Sequence, residues 1–334
     1  MKILITGGAG FMGSTFIKYI LKNHPDWQIV NLDKLTYAGN PENLKEVENC
    51  QNYEFVKGDI ANRGDVEKAI GDGVDKIINY AAETHVDRSI LEPDAFIKTD
   101  VFGTFTLLEA MRQHNVAQYI QISTDEVYGS IQNGLFTEAS PFEPNSPYAA
   151  SKASGDLLCR AYFKTYNLPI IVTHSCNFYG PNQYPEKLIP LFVTNLLEDK
   201  KVPVYGKGNQ SREWIFTNDH CRAIELLAEK GQPGEVYNIG TGWCKENMEV
   251  TRFILAELGF GEEKIEFVKD RPGHDLRYAL NSQKLKNLGW AHSLSWEEGM
   301  RRTISWYKEN EDRWKKIKSG EYLEYYKRQY AERS

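Results

Sequence analysis

A glycine-rich turn, Thr6-Gly7-Gly8-Ala9-Gly10-Phe11-Met12-Gly13, sits directly after a short apolar run at Lys2–Thr6 and before an amphipathic helical pattern. Glycines in that context constrain the fold more than any other feature of the chain. The spacing, read as Gly8-x-Gly10-x-x-Gly13 or Gly7-x-x-Gly10-x-x-Gly13, supplies a tight turn, close backbone approach to a pyrophosphate, and close packing at the positive end of a helix. No Lys-Ser or Lys-Thr follows, which argues against a triphosphate-binding loop. Asp33, about twenty residues beyond Gly13, ends a second apolar run at Gln28–Asp33. A carboxylate there accepts hydrogen bonds from both ribose hydroxyls of an adenosine and repels a 2′-phosphate, so NAD is favoured over NADP. Lys34, beside it, pulls the other way. Asp59, at the end of the third run, is a candidate for the adenine or equally a loop cap.

Further apolar runs at Tyr53–Asp59, Lys76–Ala82, Tyr119–Thr124 and Pro169–Thr173 alternate with helical spacing. Buried parallel strands read this way, so the expected fold is α/β: a doubly wound parallel Rossmann sheet with a smaller mixed α/β lobe. Pro181, Pro185, Pro190 and Pro203 then break the rhythm, and Glu235–Gly240 restores a strand-like run. The predicted division is 1–180, rejoined by about 214–243, for the cofactor, and 181–213 with 244–334 for the second lobe. Helical patterns dominate from Glu246, and Tyr322–Ser334 reads as a terminal helix or a frayed tail.

Composition excludes several classes. With 46 acidic against 40 basic residues and a formal charge of -6, the chain has no broad attraction for nucleic acid or an anionic bilayer. It has no run of about 18 apolar residues and no secretory leader pattern, so a cytoplasmic protein that does not span a membrane is expected. Cys50, Cys159, Cys176, Cys221 and Cys244 are scattered without metal-ligand spacing, which predicts free thiols and no metal site.

Two further constellations carry chemistry. Ser146-Pro147 is a helix start, and Asn167 with Pro169 is a stop. Between them Tyr148 and Lys152 stand four apart and share a helix face, where the ammonium can favour the phenolate and make tyrosine a base near neutral pH. Thr124-Asp125-Glu126 follows the fifth run, at the strand edge where open α/β sheets bind ligands. Adjacent carboxyls there either cap a turn or divide acid and base work between them, if their surroundings separate their proton affinities. Sequence alone does not assign the two roles.

Together with Leu32–Asn40, Ala81–Ser89, Pro147–Ser154, Asn177–Pro181, Pro185–Pro190 and Arg271–Asp275, these motifs resemble the extended short-chain dehydrogenase/reductase superfamily. Within it the chain is similar, over nearly its whole length, to the dTDP-glucose 4,6-dehydratases. The resemblance implies that Tyr148 takes the proton of a hexose 4-hydroxyl as NAD takes hydride from carbon 4, with Lys152 and Thr124 supporting the phenolate. It makes Glu126 the base that removes the proton on carbon 5, and Asp125 the acid that protonates the departing 6-hydroxyl. Hydride then returns to carbon 6, and the product is a nucleotide-linked 4-keto-6-deoxyhexose.

The same resemblance places Gly7, Gly10, Phe11, Met12, Gly13, Asp33, Lys34, Asp59, Ile60, Ala81, Ala82, Thr99, Tyr148 and Lys152 along the cofactor. It places Thr84, Asn177, Lys187, Leu188, Pro203, Tyr205, Arg212, Asn247 and Tyr278 along the nucleotide sugar. His85 is left outside the catalytic set. It also implies a homodimer formed through Thr99–His114 and Pro147–Tyr166. The chain departs from the family pattern at Thr84, where serine is common, at Phe178, where a second asparagine is frequent, and at Asp100, where asparagine is usual. The alternatives are a dehydratase acting on a UDP- or CDP-linked hexose, a nucleotide-sugar 4-epimerase, a nucleotide-sugar decarboxylase, and an NAD-sensing module without chemistry. An epimerase has no need of the Asp125–Glu126 pair.

Overall fold

The computed structural model describes residues 1–319 and 321–331. Its first six strands are β1 (Lys2–Thr6), β2 (Gln28–Asp33), β3 (Tyr53–Lys57), β4 (Lys76–Asn79), β5 (Gln118–Thr124) and β6 (Ile170–Ser175). Six more follow: β7 (Asn177–Tyr179), β8 (Val202–Tyr205), β9 (Ser211–Phe216), β10 (Val236–Ile239), β11 (Cys244–Glu246) and β12 (Ile265–Val268). Seven strands form one parallel sheet in the order β10-β6-β5-β4-β1-β2-β3. This is the doubly wound α/β architecture expected from the sequence. Two small sheets, β11-β9-β7 and β12-β8, complete the mixed second region.

Alternation along β1 explains why the sheet is covered on both faces. Ile3 and Ile5 enter the core with Phe16, Ile17 and Ile20, while Leu4 enters the opposite core with Val30, Leu32, Leu107 and Met111. Emptying one such site, as in Leu4→Ala, costs about 2–5 kcal/mol. A third core gathers Val202, Val204, Trp214, Phe216, Ile254, Trp296 and Met300 under the small sheets.

Strand order sets the site. β1 lies between β2 and β4, so the chain winds outward through β2 and β3 and then back through β4 and β5. The crossovers diverge beyond the carboxyl end of β1 and leave a crevice there. Strands β3 and β4 stop short of the apolar runs that predicted them, because Gly58 and Asp59, and Tyr80 to Ala82, turn into that crevice.

The Pro147–Tyr166 helix has the predicted boundaries. Ser146 Oγ accepts from the Ala149 N–H at 3.1 Å, and Asn167 closes the helix in the left-handed region at φ 55°. The segment expected as one helix over Thr99–His114 is instead π-helical at Ile97–Gly103 and α-helical at Thr104–His114. Glu321–Ala331 is helical, and the last three residues of the predicted terminal segment lie outside the described residues. No helix among the described residues is long and apolar enough to cross a membrane.

Candidate active site

A cavity of about 320 Å³ opens at the carboxyl ends of β1, β2, β4 and β5. Its glycine turn is a cradle that side chains would fill: Gly7 has φ +67°, and a Cβ on Gly13 would stand 2.3 Å from the Gly7 carbonyl oxygen. Asp33 closes the turn from below, its Oδ2 accepting from the Ala9 N–H at 2.8 Å and its Oδ1 from the Leu35 N–H at 2.7 Å. Each oxygen keeps a lone pair for a ribose hydroxyl. Burial raises the Asp33 carboxyl, with the two N–H bonds opposing. The residues present therefore fit a dinucleotide.

Lys34 is turned away from Asp33 by an ion pair with Asp59 at 2.8 Å. Asp59 also accepts from the Ala61 N–H at 2.9 Å, so it does the work of a loop cap. Burial pushes the Asp59 carboxyl up, and the Lys34 ammonium and that N–H together outweigh it and hold it low. Gly7, Gly10, Phe11, Met12, Gly13, Asp33, Lys34, Asp59, Ile60, Ala81, Ala82 and Thr99 all line the cavity, as do Tyr148 and Lys152.

On the far side, Thr124, Asp125 and Glu126 face the same space as Tyr148 and Lys152. Lys152 Nζ donates to the Ile122 carbonyl at 2.8 Å, which anchors it under β5. The Tyr148 phenol is shifted in the direction opposite to the one expected from its neighbouring ammonium. Burial, then the carboxyls of Glu126 and Asp100, push the Tyr148 phenol well above its ordinary value, against the Thr124 hydrogen bond.

The two carboxyls after β5 occupy different surroundings. Asp125 is 1% exposed, one of its oxygens has no partner among the described residues, and burial with Glu126 and Glu213 drives it well above the usual range. Glu126 is also raised by burial, but Arg271, Arg212 and Lys187 oppose that rise, and its Oε2 meets the Tyr278 hydroxyl at 3.5 Å. Both carboxyls are thus raised, Asp125 with two further acids adding to the rise and Glu126 with three cations opposing it, so their surroundings push their proton affinities apart.

The sugar-side candidates divide. Thr84, Asn177, Lys187 and Leu188 line the cavity, and Lys187 Nζ donates to the Thr84 carbonyl at 2.6 Å. Pro203, Tyr205, Arg212, Asn247 and Tyr278 lie outside its lining. Arg212 does not present an open fork. It donates to the carbonyls of Ser211 at 2.9 Å and Asp275 at 2.9 Å, and lies 4.3 Å from the centre of the Tyr278 ring. Tyr278 donates to Asp275 Oδ2 at 2.6 Å, and Asn247 keeps a buried side-chain oxygen that has no partner among the described residues. Tyr205 donates to Asp87 at 3.3 Å.

Several lining residues escaped the sequence reading, among them Glu83, Ser175, Cys176, Tyr184, Glu186 and Trp214. Glu186 is fixed by Arg88 at 3.0 Å, whose guanidinium stands 3.7 Å from the Tyr37 ring and 4.0 Å from the Tyr325 ring. Arg271, whose charge lowers Glu126, lies within Arg271–Asp275, and its position between Asp270 and Asp275 is the signal the sequence offers. His85 is buried against Tyr325, its Nδ1 3.1 Å from the phenol oxygen. Phe178 lines the cavity and stacks edgewise on His220 at 4.5 Å.

Comparison with known proteins adds a second line of observation. The profile of the GDP-mannose 4,6 dehydratase family matches residues 4–303. The dTDP-glucose 4,6-dehydratase of Streptomyces niveus is 47% identical over 324 residues, covering 96% of this chain and 96% of that protein. The low-salt glycan biosynthesis protein Agl12 of Haloferax volcanii is 48% identical over 307 residues, covering 92% and 98%. The crystal structure of DesIV, a dTDP-glucose 4,6-dehydratase from Streptomyces venezuelae with NAD and TYD bound, matches with a TM-score of 0.93 at 48% identity, covering 95% of this chain and 100% of that one.

Proposed function

The chain belongs to the GDP-mannose 4,6 dehydratase family, within the extended short-chain dehydrogenase/reductase superfamily, and from that premise we propose that it is an NAD-dependent dTDP-glucose 4,6-dehydratase. The observation that carries the reading is the unequal carboxyl pair, Asp125 and Glu126, facing Tyr148 and Lys152 across one cavity. An oxidation at carbon 4 alone needs only the tyrosine and lysine; removing water across carbons 5 and 6 needs an acid and a base as well.

NAD, held by the Gly7–Gly13 turn and Asp33, supplies the acceptor for hydride from carbon 4 and the donor that returns it to carbon 6. Tyr148 removes the 4-hydroxyl proton, with Lys152 and Thr124 steadying the phenolate. The 4-ketone acidifies the hydrogen on carbon 5, and Glu126 takes that proton. Asp125 gives its proton to the 6-hydroxyl, which leaves as water, and as hydride returns to carbon 6 Glu126 gives its proton back to carbon 5. Asn177, Lys187 and Leu188 hold the sugar and diphosphate, with Thr84 beside them. Arg212, Asn247, Tyr278, Pro203 and Tyr205, behind the cavity lining, act on the nucleotide diphosphate and sugar.

Residues 1–180 and about 214–243 form the cofactor unit, and 181–213 with 244–334 the nucleotide-sugar unit, with β7 and β9 pairing across that boundary in the small sheet. Pairing of β10 with β6 supports that division. The enzyme works as a homodimer through the Thr104–His114 segment with its π-helical lead and the Pro147–Tyr166 helix. Ile97, Phe102 and Leu157, each about half exposed on those elements, support this arrangement. Five free cysteines support a reducing, cytoplasmic setting.

The test offers dTDP-glucose, UDP-glucose, UDP-N-acetylglucosamine and CDP-glucose separately, without added reductant, and weighs the products. Loss of one water, greatest with dTDP-glucose, is expected. Interconversion of glucose and galactose without mass loss would replace the reading by epimerisation. Glu126→Gln should slow elimination by about 10²–10⁴-fold while NAD stays bound.

A further inference from the structure

The Glu321–Ala331 helix takes no part in the chemistry above, yet it packs directly behind the loop that carries Lys187. That loop, Tyr184–Lys187, runs between β7 and the helix that begins at Leu188. Each of its residues is held from a distant part of the chain. The Tyr37 ring meets the Tyr184 ring edge-on at 5.3 Å. Tyr322 donates from its hydroxyl to the Pro185 carbonyl at 3.0 Å. Glu186 accepts from the Tyr37 hydroxyl at 3.2 Å on one oxygen and from Arg88 Nε at 3.0 Å on the other, and Lys187 Nζ reaches the Thr84 carbonyl.

The helix secures this arrangement with two tyrosines on one face. Tyr322 and Tyr325, three residues apart, are buried, whereas Leu323 between them is exposed. Tyr325 lays its ring against the Arg88 guanidinium, 4.0 Å from the ring centre, and its hydroxyl stands 3.1 Å from His85 Nδ1. A guanidinium joined to Glu186 through one N–H can swing about that bond; a ring against it removes the freedom. Glu186 is the partition between helix and site. It lines the main cavity and also a second space of about 10 Å³, closed by Tyr322, Tyr325, Tyr326 and Gln329. A gap of that size is about the room of one water molecule, so the loop cannot retreat from the cavity while the helix is in place.

We propose that the Glu321–Ala331 helix is a strap on the substrate loop, and that Tyr322 and Tyr325 are positioning residues that aim the Lys187 ammonium at the diphosphate of a nucleotide sugar. Lysine is a compact charge on a flexible stem, so the place where its backbone is held decides where its charge can reach. A loop ordered beforehand has less freedom to lose when the diphosphate arrives, and the difference appears as affinity. The diphosphate as the target of Lys187 rests on the function proposed above; the strap does not.

Hydrogen exchange and calorimetry on the full chain with NAD test the two parts separately. Tyr325→Leu removes the ring and should speed exchange in peptides spanning 183–189 by about tenfold. Tyr325→Phe keeps the ring against Arg88 and should recover most of that protection. Tyr322→Phe, which loses only a hydroxyl, should act in the same direction as Tyr325→Leu and more weakly. Titration with dTDP should show Tyr325→Leu binding about three- to tenfold more weakly than wild type. In a Lys187→Ala background the same substitution should cost nothing further, because two residues that act through one contact are not additive. Unaltered exchange in Tyr325→Leu, or no recovery in Tyr325→Phe, would overturn the strap. A full additional loss of dTDP affinity in the Lys187→Ala background would overturn its action through Lys187. A wild-type protein that binds no dTDP would count against the nucleotide-sugar reading, and the exchange measurements would still decide the strap.

Discussion

The two ends of the cavity are built by different means. At the cofactor end, backbone groups do the positioning: glycines bring main chain against main chain, and Asp33 is held by N–H groups from its own turn and from the glycine loop. At the sugar end, and behind the cavity lining where Arg212 and Tyr278 stand, side chains hold one another across distant segments. Arg212 grips the Asp275 carbonyl and covers Tyr278, Tyr278 holds Asp275, and Lys187 reaches the Thr84 carbonyl. A site made from backbone is rigid and intolerant of any added atom. A site made from long side chains depends on a few charges whose partners can be exchanged for ligand atoms.

The sharpest way to break the first end is Gly13→Ala. The new Cβ would lie 2.3 Å from the Gly7 carbonyl oxygen and 2.7 Å from Gly8 Cα, both main-chain atoms that the sheet keeps in place. NAD affinity, measured by calorimetry, should fall by at least about a hundredfold, equivalent to roughly 2.7 kcal/mol. Unchanged affinity would mean that the turn is not the cradle.

The second end should fail differently. Arg212→Ala removes a buried cation that donates to the Ser211 and Asp275 carbonyls and opposes the rise of both Asp125 and Glu126. Hydrogen bonds of this charged kind are worth about 1.5–3 kcal/mol, so KM for the nucleotide sugar should rise about 10- to 100-fold while NAD affinity stays within experimental error. Arg212→Lys should restore little, because an ammonium cannot reproduce the planar fork that spans the Ser211 and Asp275 carbonyls. Equal losses on both ligands would erase the contrast between the two ends.

This contrast also explains what could be read from the chain. The cofactor end is local: strand, turn, helix and acid follow in order within Lys2–Asp33, and periodicity places each of them. The sheet was legible for the same reason, since most of β1 to β6 are largely apolar runs, β3 with only Val56 buried being the weakest. Tyr148 and Lys152 share a helix face four residues apart, and that spacing survives folding. The sugar end is not local. Arg212, Tyr278 and Asp275 meet only because β9 bridges to Arg277 beside the loop that precedes Tyr278, a contact that no spacing announces. The same limit hid Glu83 and Glu186, whose importance comes from burial beside other charges. The interruption of the Thr99–His114 helix was equally invisible, because no proline marks the π-helical turn.

A smaller effect probes the carboxyl pair that stands where the two ends meet. Asp125 is raised well above its ordinary value by burial, then by Glu126 and Glu213, so the folded chain binds this proton more tightly than the unfolded chain does. The stability it contributes is therefore complete below the unfolded value, about pH 4, and is lost as pH rises through the folded one. Asp125→Asn carries no such proton and escapes the loss. Its melting temperature should match that of wild type near about pH 4 and exceed it at about pH 8, by an amount on the order of 2–4 °C for each kcal/mol recovered. The catalytic cost and the thermal gain would then come from one cause, a carboxyl kept protonated by its burial. If the melting curves instead cross in the opposite direction, with the variant less stable at high pH, Asp125 is ionised in the folded protein and cannot be the acid that releases water.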